Sequence, residues 1–390
     1  MKKKNRSLRL AGNALALAAG LSLWAPVPAV LSMNAQAEVQ KPEDYEDEKW
    51  ARLLDDTLEY EEIPDLIEFF NPVYRAAAEQ VEDGLKDSYE LARKMREDGK
   101  EYRQQAKGLE AEGDQIYSAQ YKAMARSLDS AASVMEKTLD KQAKRLDQNT
   151  LAPVRYQLSS AVQSLMIGYQ QMEVNKEMLE KMVELYTQML SLSNTQSEIG
   201  MATSTDLLSA KVSLTSAENQ LSTLETSMDS MRRTLIMLTG WDYTDNPAFG
   251  KVPDPDMTQI ENIDREADKI QAIAYNQEII SLKNSKQEGR TIKDIHSKER
   301  SVSSNMDTLY YSLIEKQAAL QAAETAFQQA QLTMDSNNRR YQLGMLGRAE
   351  YLGTEIAYYQ AKAARETANM NMLQALNEYQ WALKGVLPAE

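Results

Sequence analysis

The segment at 199–208 has the sequence IGMATSTDLL, and the segment at 343–352 has the sequence LGMLGRAEYL. Both begin with an aliphatic residue followed by Gly-Met, and both have an acidic residue, Asp206 or Glu350, immediately before their last two residues. Each precedes a long run with helical periodicity, and each follows an Asn that can start a helix, Asn71 before Pro72 and Asn276 before Gln277. Motifs repeated in the same order indicate a fold built from two copies of one unit.

The run that follows the first segment carries apolar residues every seven positions, in two parallel rows. The rows are Leu207, Leu214, Leu221, Met228 and Leu235, and Ala210, Ala217, Leu224, Met231 and Leu238. Such paired rows predict a coiled-coil seam. The run that follows the second segment repeats alanine at the same period, which allows helix axes to approach closely. These alanines are Ala361, Ala368, Ala375 and Ala382.

The composition favours helices throughout. Only 15 Gly, 10 Pro and 4 Phe occur in 390 residues, and abundant Ala, Leu, Gln, Glu, Lys and Met are strong helix formers. A helix of about 40 residues is about 60 Å long, so helices of this length have to pack side by side. We therefore predict an all-α fold made of two tandem repeats of long coiled-coil helical hairpins.

The predicted boundaries follow the repeats. Residues 38–240 form the first repeat, 241–261 a linker rich in Pro and Gly, and 262–390 the second repeat. The first repeat is longer, because 129 positions separate Asn71 from Gly200 and only 68 separate Asn276 from Gly344. These roughly 60 extra residues also have a helical pattern. Within them we expect one break near Gly113-Asp114, and a turn at 149–153, which contains Asn149 and Pro153.

Residues 1–37 are predicted to be a secretory signal peptide. A basic start precedes an apolar stretch at 10–31 and a small-x-small cleavage site, Ala35-Gln36-Ala37. The alternative is an uncleaved anchor, but Pro26 and Pro28 interrupt the apolar stretch and the cleavage site favours removal. The chain is therefore expected to be exported to the cell envelope. It would lie in the outer membrane or periplasm of a host with two membranes, or be wall-associated outside a single membrane.

Removing residues 1–37 takes away five basic and no acidic residues, which lowers the formal net charge from −14 to −19. Such a charge disfavours nucleic acid and anionic lipid and would favour cations in any lumen that the chain lined. With no Cys and a single His, His296, the sequence has no conventional zinc cluster and no Ser-His or Cys-His nucleophile system. We expect no enzyme activity, no bound metal and no cofactor.

Gly200 and Gly344 each interrupt a helical pattern just before a new helix start. Glycine permits the positive φ of a tight turn, and acids in the first helical turn, here Asp206 and Glu350, suit the positive end of a helix. One interpretation is a plain turn between helices. The other is an exposed hairpin tip presented to a partner, and both can hold together.

With these motifs on both copies, the chain resembles the TolC-like outer-membrane efflux proteins over about residues 50–387. That family has two repeats, each with an Asn-Pro-x-hydrophobic helix start, a Gly-containing turn followed by an acid and Leu, and a long helix ending in Leu-x-Gly. The helix ends here are Leu238-Thr239-Gly240 and Leu383-Lys384-Gly385. The family also places strands between its helices. No ten-residue alternation typical of such strands is found, so we expect a TolC-like α-barrel protomer with little or no β-barrel.

The resemblance implies a homotrimeric helical tube that acts as a conduit in a multicomponent efflux or secretion system. It implies docking of a periplasmic adaptor, itself tied to an inner-membrane transporter, through the hairpin tips. It also implies an acidic entrance, for which Asp206 and Glu350 are the candidates. The residues to which the docking role carries over are Gly200, Met201, Ala202 and Thr203, and Gly344, Met345 and Leu346.

A second hypothesis is a coiled-coil envelope scaffold or spacer that keeps the repeat without conducting anything. The two tip motifs favour the conduit, and the missing strands favour the scaffold.

Overall fold

The computed structural model of the chain describes residues 41–42, 45–111, 115–242, 244–284 and 289–387. All of them belong to one structural unit, Asn34–Glu390. The predicted signal peptide and the predicted break at Gly113-Asp114 lie outside the described residues. The boundaries of the two repeats and the linker remain predictions.

Long helices dominate the described residues. In chain order the elements are α1 Asp47–Leu53, β1 Thr57–Leu58, a 3-10 turn Tyr60–Glu62, α2 Ile63–Phe70, α3 Pro72–Ala111, α4 Gln115–Leu146, a π-helical segment Asp147–Leu151, α5 Ala152–Glu198, α6 Ser204–Leu238, β2 Ala248–Phe249, α7 Met257–Glu261, α8 Arg265–Tyr275, α9 Gln277–Asn284, α10 Gly289–Gln342 and α11 Arg348–Leu383. In the described part of the chain, strand structure is limited to β1 and β2, which pair in parallel with Thr57 opposite Ala248. The all-α prediction is confirmed.

Two hairpins, α5–α6 and α10–α11, lie side by side in one layer. Their inner members α5 and α11 run antiparallel in contact: Gln171 Nε2 donates to Asn371 Oδ1 at 3.1 Å, and the Lys362 Nζ lies 2.7 Å from a carboxylate oxygen of Glu177. The order of helices across the layer is therefore α6, α5, α11, α10. The predicted tandem hairpins are thus present, and they meet along α5 and α11.

The predicted seams face the hairpin partners. All ten residues of the two rows on α6 are buried or half-buried, with Leu235 fully buried and Ala217 nearly so. On α11, Ala375 and Ala382 are buried, and Ala361 and Ala368 are half-buried. The heptad residues of both copies are therefore shielded from water, as a helix–helix seam requires, and coiled-coil packing along them remains a prediction.

Each repeat has its own hydrophobic core at the end of the layer away from the Gly200 and Gly344 turns. The core of the first repeat includes Phe70, Met166 and Leu235. The core of the second repeat includes Ile279, Leu313 and Met372. The two cores are built from corresponding parts of the duplicated unit, a short helix that precedes the Asn cap and the closing end of the long hairpin.

The Asn cap and the Leu-x-Gly end meet in both repeats. Asn71 Oδ1 accepts from the Tyr74 backbone N–H at 2.8 Å, and Asn276 Oδ1 accepts from that of Ile279 at 3.1 Å, so both cap a helix start as predicted. Gly240 has φ 82° and Gly385 has φ 87°. A Cβ added at Gly240 would lie 2.5 Å from the Phe70 carbonyl oxygen, and one added at Gly385 would lie 2.2 Å from that of Tyr275. Close backbone approach therefore explains both glycines.

The extra residues of the first repeat form a hairpin of α3 and α4. The middle of its seam is made of small residues: Ala92, Gly99 and Ala106 on α3 face Ala125 and Ala132 on α4, all of them buried. Ion pairs bridge the helices along one flank, with Arg96 to Glu136, Arg103 to Asp129, and Lys122 to Glu110. Small seam residues allow the close packing, and the paired charges hold the register.

The turn predicted at 149–153 is wrong. The chain instead passes from α4 into α5 through the π-helical segment Asp147–Leu151, where the backbone N–H of Ala152 bonds to the carbonyl of Asp147. Pro153 lies in the first turn of α5 and lacks the N–H that would bond one turn back. The wider π turn accommodates this missing donor, so the proline marks a local widening and not a reversal.

Glu62, at the end of the 3-10 turn, has a buried Oε2 without a hydrogen-bond partner among the described residues. Burial, reinforced by the carboxylates of Glu59 and Asp55, raises the pKa of Glu62 to about 7. The folded state therefore favours the protonated acid. Stability from this group is complete below the ordinary pKa of 4.5 and is lost as the pH rises towards about 7.

We expect Glu62→Gln to be more stable than the native chain at pH 8 and equal to it at pH 4, because glutamine stays neutral at both values. Urea unfolding followed by circular dichroism at the two pH values measures this. Glu61→Gln, which removes an exposed carboxylate from the same turn, is the control. An equal gain in both variants at pH 8 would indicate general charge repulsion and contradict the burial explanation.

Within the described residues, no helix has a stretch long and apolar enough to cross a lipid bilayer.

Candidate functional site

The two glycine turns that join the helices of the long hairpins have the same backbone geometry. Gly200 has φ 76° and Gly344 has φ 71°. The Met201 N–H bonds to the Gln196 carbonyl at 2.7 Å, and the Met345 N–H bonds to the Arg340 carbonyl at 2.8 Å. This bond from the residue after the glycine is the Schellman closure of a helix. A Cβ at either glycine would meet nothing within 4 Å, so the positive φ alone calls for glycine.

Each turn presents apolar side chains to solvent. We call residues 199–203 the first tip and residues 343–347 the second tip. Ile199 is 64% and Met201 77% exposed in the first tip, and Leu343 is 74% and Met345 67% exposed in the second. Four large apolar side chains at two turns form the kind of patch that soluble surfaces usually avoid unless a partner covers it.

The two tips lie at the same end of the layer. Beside the second tip, Arg348 bonds to Gln188 on α5, about ten residues before the first tip. The helices α5 and α11 are antiparallel and also pair further along, at Glu177 and Lys362. The turns of both hairpins therefore lie at the same end of the layer. The predicted site residues thus all lie at one end of the layer.

Leu346, in the second tip, is 6% exposed. The sequence predicts it as a docking residue together with Gly344 and Met345, but its side chain is buried in this chain. Ala202 is half-buried and Thr203 is exposed. Among the predicted docking residues, those with large accessible side chains are therefore the two methionines.

Asp206 closes a capping box at the start of α6. Its carboxylate accepts from the backbone N–H and the hydroxyl of Thr203 at 2.9 and 2.7 Å, and Thr203 Oγ1 accepts from the Asp206 N–H at 3.2 Å. These hydrogen bonds from Thr203 hold the pKa of Asp206 below its usual value. Asp206 therefore stays charged and at the same time fixes the exit from the first tip.

The second tip starts α11 without a side-chain cap, because Gly347 occupies the cap position. Other interactions order this tip instead. The rings of Tyr341 and Tyr351 stack at 4.5 Å, and the Arg348 guanidinium lies over both, at 5.5 and 5.6 Å. Glu350 is exposed in the first turn of α11. The two tips thus reach the same turn geometry by different contacts.

Sequence reasoning missed the groups that join the two hairpins near the tips. Arg348 and Gln188 connect α11 to α5, and burial raises the pKa of the neighbouring Glu355. The only sequence signal is the position of Arg348 in the second copy, where the first copy has Ser204. A departure from the repeat at a helix start could have marked it as specific to the contact between copies.

The described residues do not place three or more His, Asp or Glu side chains where they could hold a metal ion. His296, the single histidine, is largely exposed, with Nδ1 3.4 Å from a carboxylate oxygen of Glu299. What the site offers chemically is a pair of apolar projections stiffened by caps and aromatic stacking, suited to binding.

Comparisons with known proteins add solved structures only. No protein-family model matches the sequence, and no curated protein matches it. An outer membrane channel, CmeC of Campylobacter jejuni, aligns with 10% identity over 68% of this chain and 68% of its own, at a TM-score of 0.45. A membrane protein from Pseudomonas aeruginosa aligns with 11% identity over 84% of this chain and 90% of its own, at 0.49. The outer-membrane channel OprN aligns with 12% identity over 93% of this chain and 97% of its own, at 0.45.

Proposed function

We propose that this chain is a non-catalytic conduit component of a multicomponent efflux or secretion system in the cell envelope. Three copies form a helical tube, and the two tips of each copy dock an adaptor that links the tube to an inner-membrane transporter. The observation that carries this proposal is the placement of two apolar glycine turns at one end of a four-helix layer. Two tips at the same end of each copy suit repeated contacts around a ring.

Assembly with sister chains is supported by the edges of the layer. The outer helices α6 and α10 each have one flank without a neighbouring long helix among the described residues. Exposed apolar side chains occur along both: Leu208 is 61% and Val212 60% exposed on α6, and Leu332 is 71% exposed on α10. Placing α6 of one copy against α10 of the next would cover these side chains and extend the layer into a closed tube. The number three comes from the family resemblance.

Docking through the tips is supported by their exposure and their rigidity. The four apolar side chains can be buried only by a partner, because the turns around them leave open space. The capping box of the first tip and the Tyr341–Tyr351 stack of the second limit the entropy lost on binding. Glu350 and Asp206 add negative charge close by, in keeping with the acidic entrance that the resemblance implies.

The double variant Met201→Asp, Met345→Asp tests the docking. The tagged chain is purified from its own host's envelope, and the adaptor and transporter that copurify are identified by mass spectrometry. We expect the recovered amount of both partners to fall by about tenfold or more with the double variant, because two apolar anchors that the partner would bury become charged. Met124→Asp, at an exposed methionine on α4, is the matched control. Equal recovery of both partners with the double variant would refute tip docking.

Light scattering of the native chain should give three times the mass of one chain.

The scaffold alternative has one specific observation in its favour. The α3–α4 hairpin adds 40-residue and 32-residue helices to the first repeat, and the described residues of the second repeat form no counterpart of that length. A spacer would need such an arm, whereas a conduit would not. Recovery of the chain with itself or wall material alone, without adaptor or transporter, would favour the scaffold.

A further inference from the structure

Helix α5 has a groove on each of two opposite faces, and the grooves differ in charge. The first, about 510 Å³, lies between α5, α11 and the connector that follows β2. Its charged lining residues are Glu173, Glu177, Lys251, Asp254, Lys362 and Glu366. The second, about 980 Å³, lies between α5 and α6, and Lys211 is the one charged residue among those that line it.

These grooves belong to opposite sides of the layer. Glu173 lines the first groove and Asn175 the second, and two positions on a helix are about 200° apart at 3.6 residues per turn. The connector lies on the first side: Gln170 Nε2 donates to the Gly250 carbonyl at 2.6 Å, and Asn369 Nδ2 donates to Asp254 at 2.8 Å. We call this the connector face and the other the open face.

The open face has few charged residues along three helices. Lys211 of α6 lines its groove, and Glu378 of α11 accepts from Gln374, which also bonds to Ser164 of α5. Other positions of this face have small, amide or hydroxyl side chains. They are Ser164, Gly168, Gln171 and Asn175 on α5, Ser216, Gln220, Thr223 and Ser227 on α6, and Ala357, Ala364 and Asn371 on α11. The hydrogen bond between Gln171 and Asn371 joins α5 to α11 along this face. Acidic residues of α5 lie on the connector face, at positions such as Glu177, Glu180 and Glu184.

The bulk of the molecule decides which face a closed tube would enclose. The connector packs on one face of the layer, and Arg232 of α6 bonds to Asn246 in the segment just before β2. An added layer needs more room than the bare helices, so a ring of copies can close only with the connector face outward. The open face then lines the interior.

We propose that the interior of the tube is a hydrophilic, nearly uncharged shaft that does not select its cargo by the sign of its charge. This inference rests on the proposed function, since it requires an enclosed tube. The acidic residues make the chain strongly negative, but along α5, α6 and α11 most of them lie away from the open face, and the acidic Glu378 and the basic Lys211 are opposite in sign. Glu350, at the tip end of α11, would add an acidic group at the entrance. The cargo class is therefore polar or amphipathic molecules of either sign.

Single thiols can test this, because the chain contains no cysteine. Ser216→Cys and Ala364→Cys place a thiol on the open face, and Glu180→Cys places one on the acidic connector face; all three positions are exposed in one chain. The assembled full chain is treated with a small cationic or a small anionic methanethiosulfonate, and separately with a maleimide that carries a large polyethylene glycol chain. Circular dichroism and light scattering check that each variant keeps its helix content and its assembly.

We expect the cationic and anionic reagents to label the two open-face thiols at rates within about twofold of each other, while Glu180→Cys favours the cation. The large reagent should label Glu180→Cys and leave the open-face thiols unlabelled. A preference of about tenfold or more for the cation at the open-face thiols would overturn the nearly uncharged shaft and leave the tube intact. Full labelling of all three thiols by the large reagent would instead refute the enclosed tube on which the proposal rests.

Discussion

Replacing Gly385 with alanine is expected to lower the free energy of unfolding by about 4 kcal/mol or more, because positive φ and a backbone clash act together. The added Cβ would lie 2.2 Å from the Tyr275 carbonyl oxygen and 2.9 Å from the Asn276 nitrogen. Both are backbone atoms held by the Asn276 cap, so neither can move away cheaply. Gly240→Ala should have a similar effect, since its Cβ would meet Phe70 in the same way. Urea unfolding followed by circular dichroism measures both.

Gly344→Ala is the matched control. It has a similar positive φ at the end of a long helix, but a Cβ there would meet nothing within 4 Å. We expect it to cost about 1–2 kcal/mol, the penalty for a left-handed conformation alone. If Gly385→Ala cost no more than Gly344→Ala, the close approach between the helix end and the Asn cap would not be a source of stability.

Asn71→Asp is expected to destabilise the chain by about 3 kcal/mol at neutral pH, because it places a charge where a buried amide donor is needed. Asn71 is fully buried, and its Nδ2 donates to the Leu238 carbonyl at 2.6 Å while its Oδ1 caps α3. Aspartate keeps the cap acceptor and loses the donor. The loss should shrink at low pH, where a protonated acid can again donate to Leu238.

The second repeat supplies the control for this variant. Asn276 also caps its helix through Oδ1, but no described residue accepts a hydrogen bond from its Nδ2. Asn276→Asp should therefore cost less than about 1 kcal/mol, since Asn and Asp are equivalent caps. Equal losses in the two variants, measured by urea unfolding at pH 7 and again at pH 4, would show that the bond from Asn71 to Leu238 is not what makes the first position sensitive.

Local patterns predicted the elements of this fold well where one interaction decides them. The rows through Leu221 and Leu224 predicted the seam of α6, and Asn71 before Pro72 predicted the start of α3, because both depend on residues close in the chain. The prediction failed at Asn149 and Pro153, where turn-forming residues occur inside a continuous helix. There the packing of α4 on α3 and of α5 on its neighbours outweighs local turn preference.

The candidate site divides in the same way. The glycines were predictable, since a positive φ leaves little choice of residue. The burial of Leu346 and the contact of Arg348 with Gln188 were not, because they depend on where α11 meets α5. The repeat pattern alone therefore does not distinguish the exposed side chains of the tips from the buried ones beside them.

The sequence by itself determined that two copies of a long helical hairpin exist, where their glycine turns lie, and that the chain carries a large negative charge. Only the tertiary structure decided that both turns come to one end and that the open face of α5, α6 and α11 carries few charges. Spacing along a helix fixes which residues share a face, but the direction of that face depends on contacts between residues more than a hundred positions apart, such as Gln171 with Asn371.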